Sequence, residues 1–165
     1  MPRPVTSVQR EIKQRKPFRS ASQEAFIALL RTADLLRRRV STDIEAEGIT
    51  LQQYNVLRIL RGAGPEGLPT LEIPERMIEQ APGITRLIDR LERKRLVSRE
   101  RCPEDRRQVT CRISESGLDL LGKLDVSLDH ADDALFAALS TAEQRQLIKL
   151  LDRVRADVDL PASSK

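Results

Sequence analysis

A chain of 165 residues, 39% hydrophobic and 33% charged, suits one domain of ordinary size with room for an oligomerisation appendage. No apolar run approaches a bilayer span, two cysteines supply no disulfide framework, and a lone histidine, His130, points away from a zinc centre, so no membrane role, metal or cofactor is expected. The net charge is only +4, but residues 1–20 hold six basic groups against one acid and residues 84–112 ten against five, two basic zones that suit a polyanionic partner.

With three Phe, one Tyr and no Trp, the core must be built from Leu, Ile, Val and Ala, a helix-rich composition. Residues 1–20 scatter Lys and Arg among Pro2, Pro4 and Pro17 and read as a basic flexible arm. They lack the apolar core of a secretory signal, and the bacterial cytoplasm is the expected compartment. A helix is predicted from about Ser22, because Phe26, Leu29, Leu30, Ala33, Leu36, Val40 and Ile44 recur at three- and four-residue steps. Gly48 ends it, giving an N-terminal element over 21–47. The next predicted helix covers 51–61 and buries Leu57 and Leu60, and Gly62, Gly64, Pro65 and Gly67 then make a loop. Residues 71–78 are predicted as a short helix, in which Pro74 is tolerable only near the first turn.

Pro82 opens the following predicted helix, over 82–94, at the position where a missing N–H costs least. Ile84, Leu87, Ile88 and Leu91 fall on one of its faces, and Thr85, Arg86, Asp89, Arg90 and Arg93 on the other. Residues 96–101 and 109–113 then read as a two-stranded hairpin, the second piece alternating as an edge strand would. Between them stand Pro103, Glu104, Asp105, Arg106 and Arg107. A turn uses Pro and Asp for its backbone geometry, but no turn requires adjacent arginines.

The C-terminal stretch, 115–160, is predicted as two helices. Ser114 precedes the first, which carries Leu118, Leu121, Leu124, Leu128, Leu135, Phe136 and Leu139. The second opens on Ser140-Thr141-Ala142-Glu143, which fits a capping box, and carries Leu147, Leu150, Leu151, Val154 and Val158. These stripes, with the one on the N-terminal helix, exceed what a small helix–hairpin unit covers. A homodimer built from both ends of the chain is therefore expected.

The fold class is thus mainly α with a small β-hairpin wing: a winged helix-turn-helix over 48–114, flanked by N- and C-terminal dimerisation helices. A helix-turn-helix sets its second helix in the DNA major groove, with its first residues at base edges. Arginine is the commonest specific reader of guanine there. Arginine on a protruding hairpin suits the narrow, electronegative minor groove.

Over residues 48–117 the chain resembles the MarR family of bacterial winged-helix transcription regulators. Ile84-Thr85-Arg86-Leu87-Ile88-Asp89-Arg90-Leu91-Glu92 looks like the family's recognition helix. Asp105-Arg106-Arg107, followed by Ile113-Ser114 and Gly117, is similar to its wing signature, Asp-x-Arg, five residues, Leu-Thr-x-x-Gly. The resemblance implies a two-fold dimer on a palindromic double-stranded DNA operator, often as a repressor. The helix 82–94 would enter the major groove and the wing 103–108 the minor groove. Gln80, Pro82, Gly83, Thr85, Arg86, Arg90, Arg95, Asp105, Arg106 and Arg107 become the candidate DNA-binding residues. Among them Arg107 would enter the minor groove, Asp105 would orient it, and Arg106 would touch phosphate. Many family members release DNA when a small aromatic or phenolic acid enters the crevice between dimer helices and winged domain; here Tyr54, Arg58 and His130 are the candidates to line it.

Two departures from the family pattern stand out. Arg95 occupies a position where the family usually has Gly, and a left-handed backbone there costs a non-Gly residue about 1 kcal/mol. The first helix also lacks a cysteine, the place of the thiol in the family's peroxide sensors. Cys102 and Cys111 flank the wing instead, either as small strand residues or as the thiols of a redox-responsive regulator. No Ser/His/Asp set, Gly-rich phosphate loop or metal-ligand cluster appears, so no catalytic residues and no enzyme are expected. A winged helix used only for protein contacts is the remaining alternative, and paired arginines beside a basic helix weigh against it.

Overall fold

The computed structural model describes residues 7–79, 82–101 and 108–156 of the chain. Its internal contacts fall into two units, Met1–Leu128 and Asp129–Lys165.

The first unit opens with α1 (Val8–Glu11), a single helical turn within the stretch expected to be a flexible arm. Backbone bonds from Arg10 N and Glu11 N to Ser7 O close it, and glutamine amides tie down the residues that follow. Gln9 Nε2 donates to the carbonyls of Gln14 at 3.4 Å and Lys16 at 3.3 Å, and Gln14 Nε2 donates to Lys16 at 2.9 Å. Glu11 then lies 3.5 Å from Arg31 of the next helix. That helix, α2 (Ala21–Ala46), starts at Ser20, whose hydroxyl accepts the Gln23 N–H at 3.2 Å. It buries Ile44 near its C-terminal end and leaves Phe26, Leu29, Leu30 and Leu35 between 41% and 58% exposed.

A capping box of Thr50 and Gln53 begins α3 (Leu51–Ala63), which commits Tyr54, Val56, Leu57 and Leu60 to the core. The 71–78 segment does not form the α-helix expected of it. Pro74 has no N–H to donate backwards, so only a 3₁₀ turn forms, Pro74–Arg76, closed by Arg76 N to Ile73 O at 3.1 Å. It cannot lengthen, because the Ile78 N–H donates to Asn55 Oδ1 at 2.9 Å instead of to a preceding turn. Ile73 is fully buried and anchors the segment.

Next come α4 (Ile84–Arg93), β2 (Val97–Arg101) and β3 (Val109–Ile113). The hairpin is joined by a third strand with no counterpart among the predicted elements, β1 (Leu68–Pro69), and the antiparallel order is β1-β3-β2. Hence β3 is the central strand, not an edge: Cys111 pairs with Leu68 on one side and Arg99 on the other. The core of this unit is aliphatic, as composition requires, with Val56, Leu57, Leu60, Ile73, Ile88, Leu91, Leu121 and Leu124 at 2% exposure or less.

α4 ends in a Schellman arrangement. Arg95 N donates to Glu92 O at 2.8 Å and Leu96 N to Leu91 O at 3.0 Å, with the Leu91 and Leu96 side chains both buried. Arg95 therefore takes the left-handed conformation, φ +60°, in place of the glycine usual there. Its carbonyl accepts from Ser114 Oγ at 2.7 Å, which fixes the strained residue against the start of the next helix. Arg95→Gly is expected to raise the unfolding free energy by about 1 kcal/mol. A thermal or urea melt checks this, and an unchanged or lower stability would contradict it.

Helix α5 (Glu115–Phe136) runs from the first unit into the second, and α6 (Thr141–Ala156) follows. The capping box read at Ser140 is present: its N–H donates to Glu143 Oε2 at 2.8 Å, and the Glu143 N–H to Ser140 Oγ at 3.4 Å. Within the second unit Ile148, Leu150 and Val154 are 47% to 57% exposed.

Candidate nucleic-acid interface

The N-terminal end of α4 is set by Gly83, a cap residue at φ +85° whose carbonyl accepts from Arg86 N at 2.9 Å and Leu87 N at 3.2 Å. Gly83 is left-handed and so outside the helix, which places Pro82 before the cap and not at the first helical position expected for it. Leu87, Ile88 and Leu91 turn inward. Thr85, Arg86, Arg90 and Arg93 are exposed on the opposite side, as the 3.6-residue period requires.

Six of the ten candidate DNA-binding residues are described. Pro82, Gly83, Thr85, Arg86, Arg90 and Arg95 are all exposed, and the structure brings them together along one helix and its two ends. Gln80, Asp105, Arg106 and Arg107 lie outside the described residues, as does Cys102.

The electrostatics of the segment depend on a residue the sequence reading passed over. Arg99 of β2 places Nη1 2.8 Å from Asp89 Oδ1, donates from Nε to Glu92 Oε2 at 3.0 Å, and bonds the same oxygen through Nη2. The guanidinium holds the Glu92 carboxyl below the usual carboxylate range. Glu100, the third described acid of residues 84–112, lies 2.6 Å from Arg112 across the hairpin. The three acids among the described residues of 84–112 are thus matched to strand arginines. Among the described residues Arg86, Arg90, Arg93, Lys94, Arg95 and Arg101 enter no salt bridge. Lys94 donates to the Gly48 carbonyl, and an open depression lined by Gly48, Thr50, Gln53, Arg90, Arg93 and Lys94 lies beside the start of α3. Such a face can neutralise phosphates and release their counterions.

The candidates for an effector crevice are differently placed. Arg58 Nη1 donates to Tyr54 Oη at 2.8 Å, and its guanidinium stands 5.7 Å from the Tyr54 ring centroid. Arg58 also lies 3.9 Å from Asp125, whose carboxylate takes two bonds from Arg61 at 2.5 and 3.2 Å. Arg61 holds the Asp125 carboxyl below its ordinary range. Neither Arg61 nor Asp125 shows in the sequence pattern, since 64 residues separate them. His130 is exposed on α5 in the second unit.

Cys111 is fully buried, and burial pushes its thiol up to about 11. At neutral pH it is protonated and shielded, the opposite of a reactive sensor thiol, which weighs against its use as a redox switch. Among the described residues no three His, Cys, Asp or Glu are grouped to hold a metal, and no helix is long and apolar enough to cross a membrane.

Comparison with known proteins agrees with this geometry. The sequence model of the MarR family matches residues 49–109. The chain is 30% identical over 135 residues to the HTH-type transcriptional regulator MhqR of Bacillus subtilis, covering 81% of this chain and 90% of that one. Among solved structures it is similar to a MarR transcription factor from Planctomyces limnophilus, with 39% identity, a TM-score of 0.64 and 82% and 98% of the two chains covered. It is also similar to the PcaV transcriptional regulator of Streptomyces coelicolor in complex with its natural ligand, with 26% identity, a TM-score of 0.67 and coverage of 86% and 96%.

Proposed function

The chain belongs to the MarR family and is a DNA-binding transcriptional regulator, not an enzyme; from that premise we propose that it acts as a two-fold dimer on a palindromic operator, as a ligand-responsive repressor. The observation that carries this reading is the exposed face of α4, where Thr85, Arg86, Arg90 and Arg93 point outward while the helix's acids are held by Arg99. A protein-binding winged helix has no use for that concentration of guanidinium groups. Two copies are favoured by the exposed apolar side chains on α2 and, separately, on α6. A two-fold dimer would present two α4 helices to two half-sites. Its place of work would be the cytoplasm, beside the chromosome.

In the wing, Arg107 is assigned to the minor groove, Asp105 to orienting it and Arg106 to a phosphate. Arg107→Ala is expected to cost operator affinity by on the order of 1–3 kcal/mol and Arg106→Ala clearly less. Asp105→Ala should weaken binding too, although it removes a negative charge. Operator titrations of the three variants check this, and tighter binding by Asp105→Ala at low salt would refute the orienting role.

For the effector, Arg58 offers a half-exposed cation beside the phenol oxygen of the otherwise buried Tyr54, which suits the carboxylate of an aromatic or phenolic acid. PcaV is itself a regulator with a bound natural ligand. The experiment that tests the whole reading is selection and sequencing of DNA fragments by the purified protein, with and without a panel of aromatic acids. A symmetric two-half-site motif, lost in the presence of one acid, is the expected result. Recovery of random fragments in every condition would overturn it.

A further inference from the structure

A helix that faces DNA has a problem if it carries carboxylates, because the phosphate backbone repels them. α4 carries two. Asp89 lies three residues past Arg86 and four before Arg93, in the middle of the outer face, so both arginines are its neighbours on the helix surface. Its ion-pair partner is nonetheless Arg99 of β2, at 2.8 Å, and the same guanidinium takes Glu92 through Nε and Nη2. Arg99 stands directly opposite Cys111 in the sheet register, and cross-strand partners share a face, so it emerges beside the core and not from the outer rim of the hairpin. Its side chain is 28% exposed, against 43% for Asp89 and 37% for Glu92. The cation is therefore the least exposed member of the cluster.

This arrangement leaves Arg86, Arg90 and Arg93 unengaged in ion pairs among the described residues. An arginine placed at the DNA surface itself would have added charge. One set against the acids, and less exposed than they are, offsets part of their charge. We propose that Arg99 is a positioning residue for operator binding: it serves as the internal counter-charge of α4, drawing Asp89 and Glu92 onto one guanidinium that offsets one of their two charges, so that the helix meets DNA as a net cationic face. Arg99 does this without contacting the nucleic acid. The proposal rests on the DNA-binding reading above and names a residue that reading did not include.

Partly exposed ion pairs contribute little to folding, so Arg99→Gln should melt close to the wild type. Its operator affinity should nevertheless fall about tenfold at neutral pH and about 0.1 M salt, because two carboxylates are then uncompensated at the phosphate surface. Adding Asp89→Asn and Glu92→Gln to Arg99→Gln should restore most of the loss. A role in stability alone moves the melting temperature and does not produce that recovery. Arg99→Lys, which keeps the charge, should bind within about threefold of the wild type, and it substitutes for the glutamine variant if the latter fails to fold.

Wild-type binding to the selected duplex is measured first. A wild type that binds no duplex overturns the DNA-binding reading and this proposal with it. With wild-type binding present, unchanged affinity in Arg99→Gln overturns the proposal. So does a loss that the triple variant fails to recover, since that would make Arg99 a direct contact, and so does a folded Arg99→Lys that binds as weakly as Arg99→Gln.

Discussion

Gly117→Ala is expected to destabilise the folded chain by about 2–3 kcal/mol, although it adds a single methyl group to the first turn of a helix. In an ordinary helix that change stabilises. Here a Cβ at position 117 would overlap the carbonyl oxygen of Leu96 and come within 2.7 Å of Ile113 Cγ1. The Leu96 carbonyl cannot retreat freely, because it accepts the Ser114 N–H at 3.0 Å and follows Arg95, whose own carbonyl is held by Ser114 Oγ. Ser114 Oγ also accepts the Gly117 N–H at 3.1 Å and so caps α5. The end of α4, the close of β3 and the start of α5 are thus stitched together by one serine, with Gly117 pressed against the seam. Urea unfolding of the variant measures the effect. A midpoint equal to or above the wild type would mean that α5 can tilt away from Leu96 without loss.

Arg86→Ala is expected to reduce operator affinity by about 1–3 kcal/mol while leaving random-duplex affinity less affected. Arg86 is exposed in the first turn of α4, the part of a recognition helix that reaches base edges. Its backbone N–H is fixed on Gly83 O at 2.9 Å, so the side chain leaves a rigid turn, and among the described residues no acid holds its guanidinium. A free, rigidly based arginine can present two parallel N–H groups to guanine O6 and N7. Titrations against the selected operator and against a scrambled duplex separate base reading from charge. If both affinities fall equally, Arg86 is a phosphate contact and the base reader lies elsewhere on the helix.

What could be read from the sequence was periodic or chemical, and what could not was set by distant partners. The inward and outward faces of α4 follow from residue spacing alone, and the structure keeps them, as it keeps the capping box at Ser140. Arg95 stands out because a left-handed helix end favours glycine, and its φ of +60° shows that the arginine accepts that conformation. β1 carries no such signal, since two residues cannot show a period and its strand character comes wholly from pairing with β3. That pairing in turn makes β3 central, which its alternating pattern could not reveal. The 3₁₀ turn at Pro74 ends where Asn55, on another helix, takes the Ile78 N–H. The turn at Val8–Glu11 is closed by backbone bonds and followed by residues tied through glutamine amides, inside a segment whose charge suggested an unstructured arm. Arg99 is the clearest case within the site: in sequence it is one basic residue among many, and only the fold sets it on Asp89 and Glu92.

The exposed cationic face of α4 and its surroundings is expected to bind duplex DNA through the phosphates. The most direct test is the salt dependence of binding to the selected operator between about 50 and 200 mM monovalent salt. The logarithm of affinity should fall linearly with the logarithm of salt concentration, with a slope of about −0.9 for each phosphate neutralised. Several phosphates should be counted in this way, and charge-removing substitutions at Arg90, Arg93 and Lys94 should each make the slope shallower. An affinity that stays constant across that range, or a slope untouched by all three substitutions, would contradict the account.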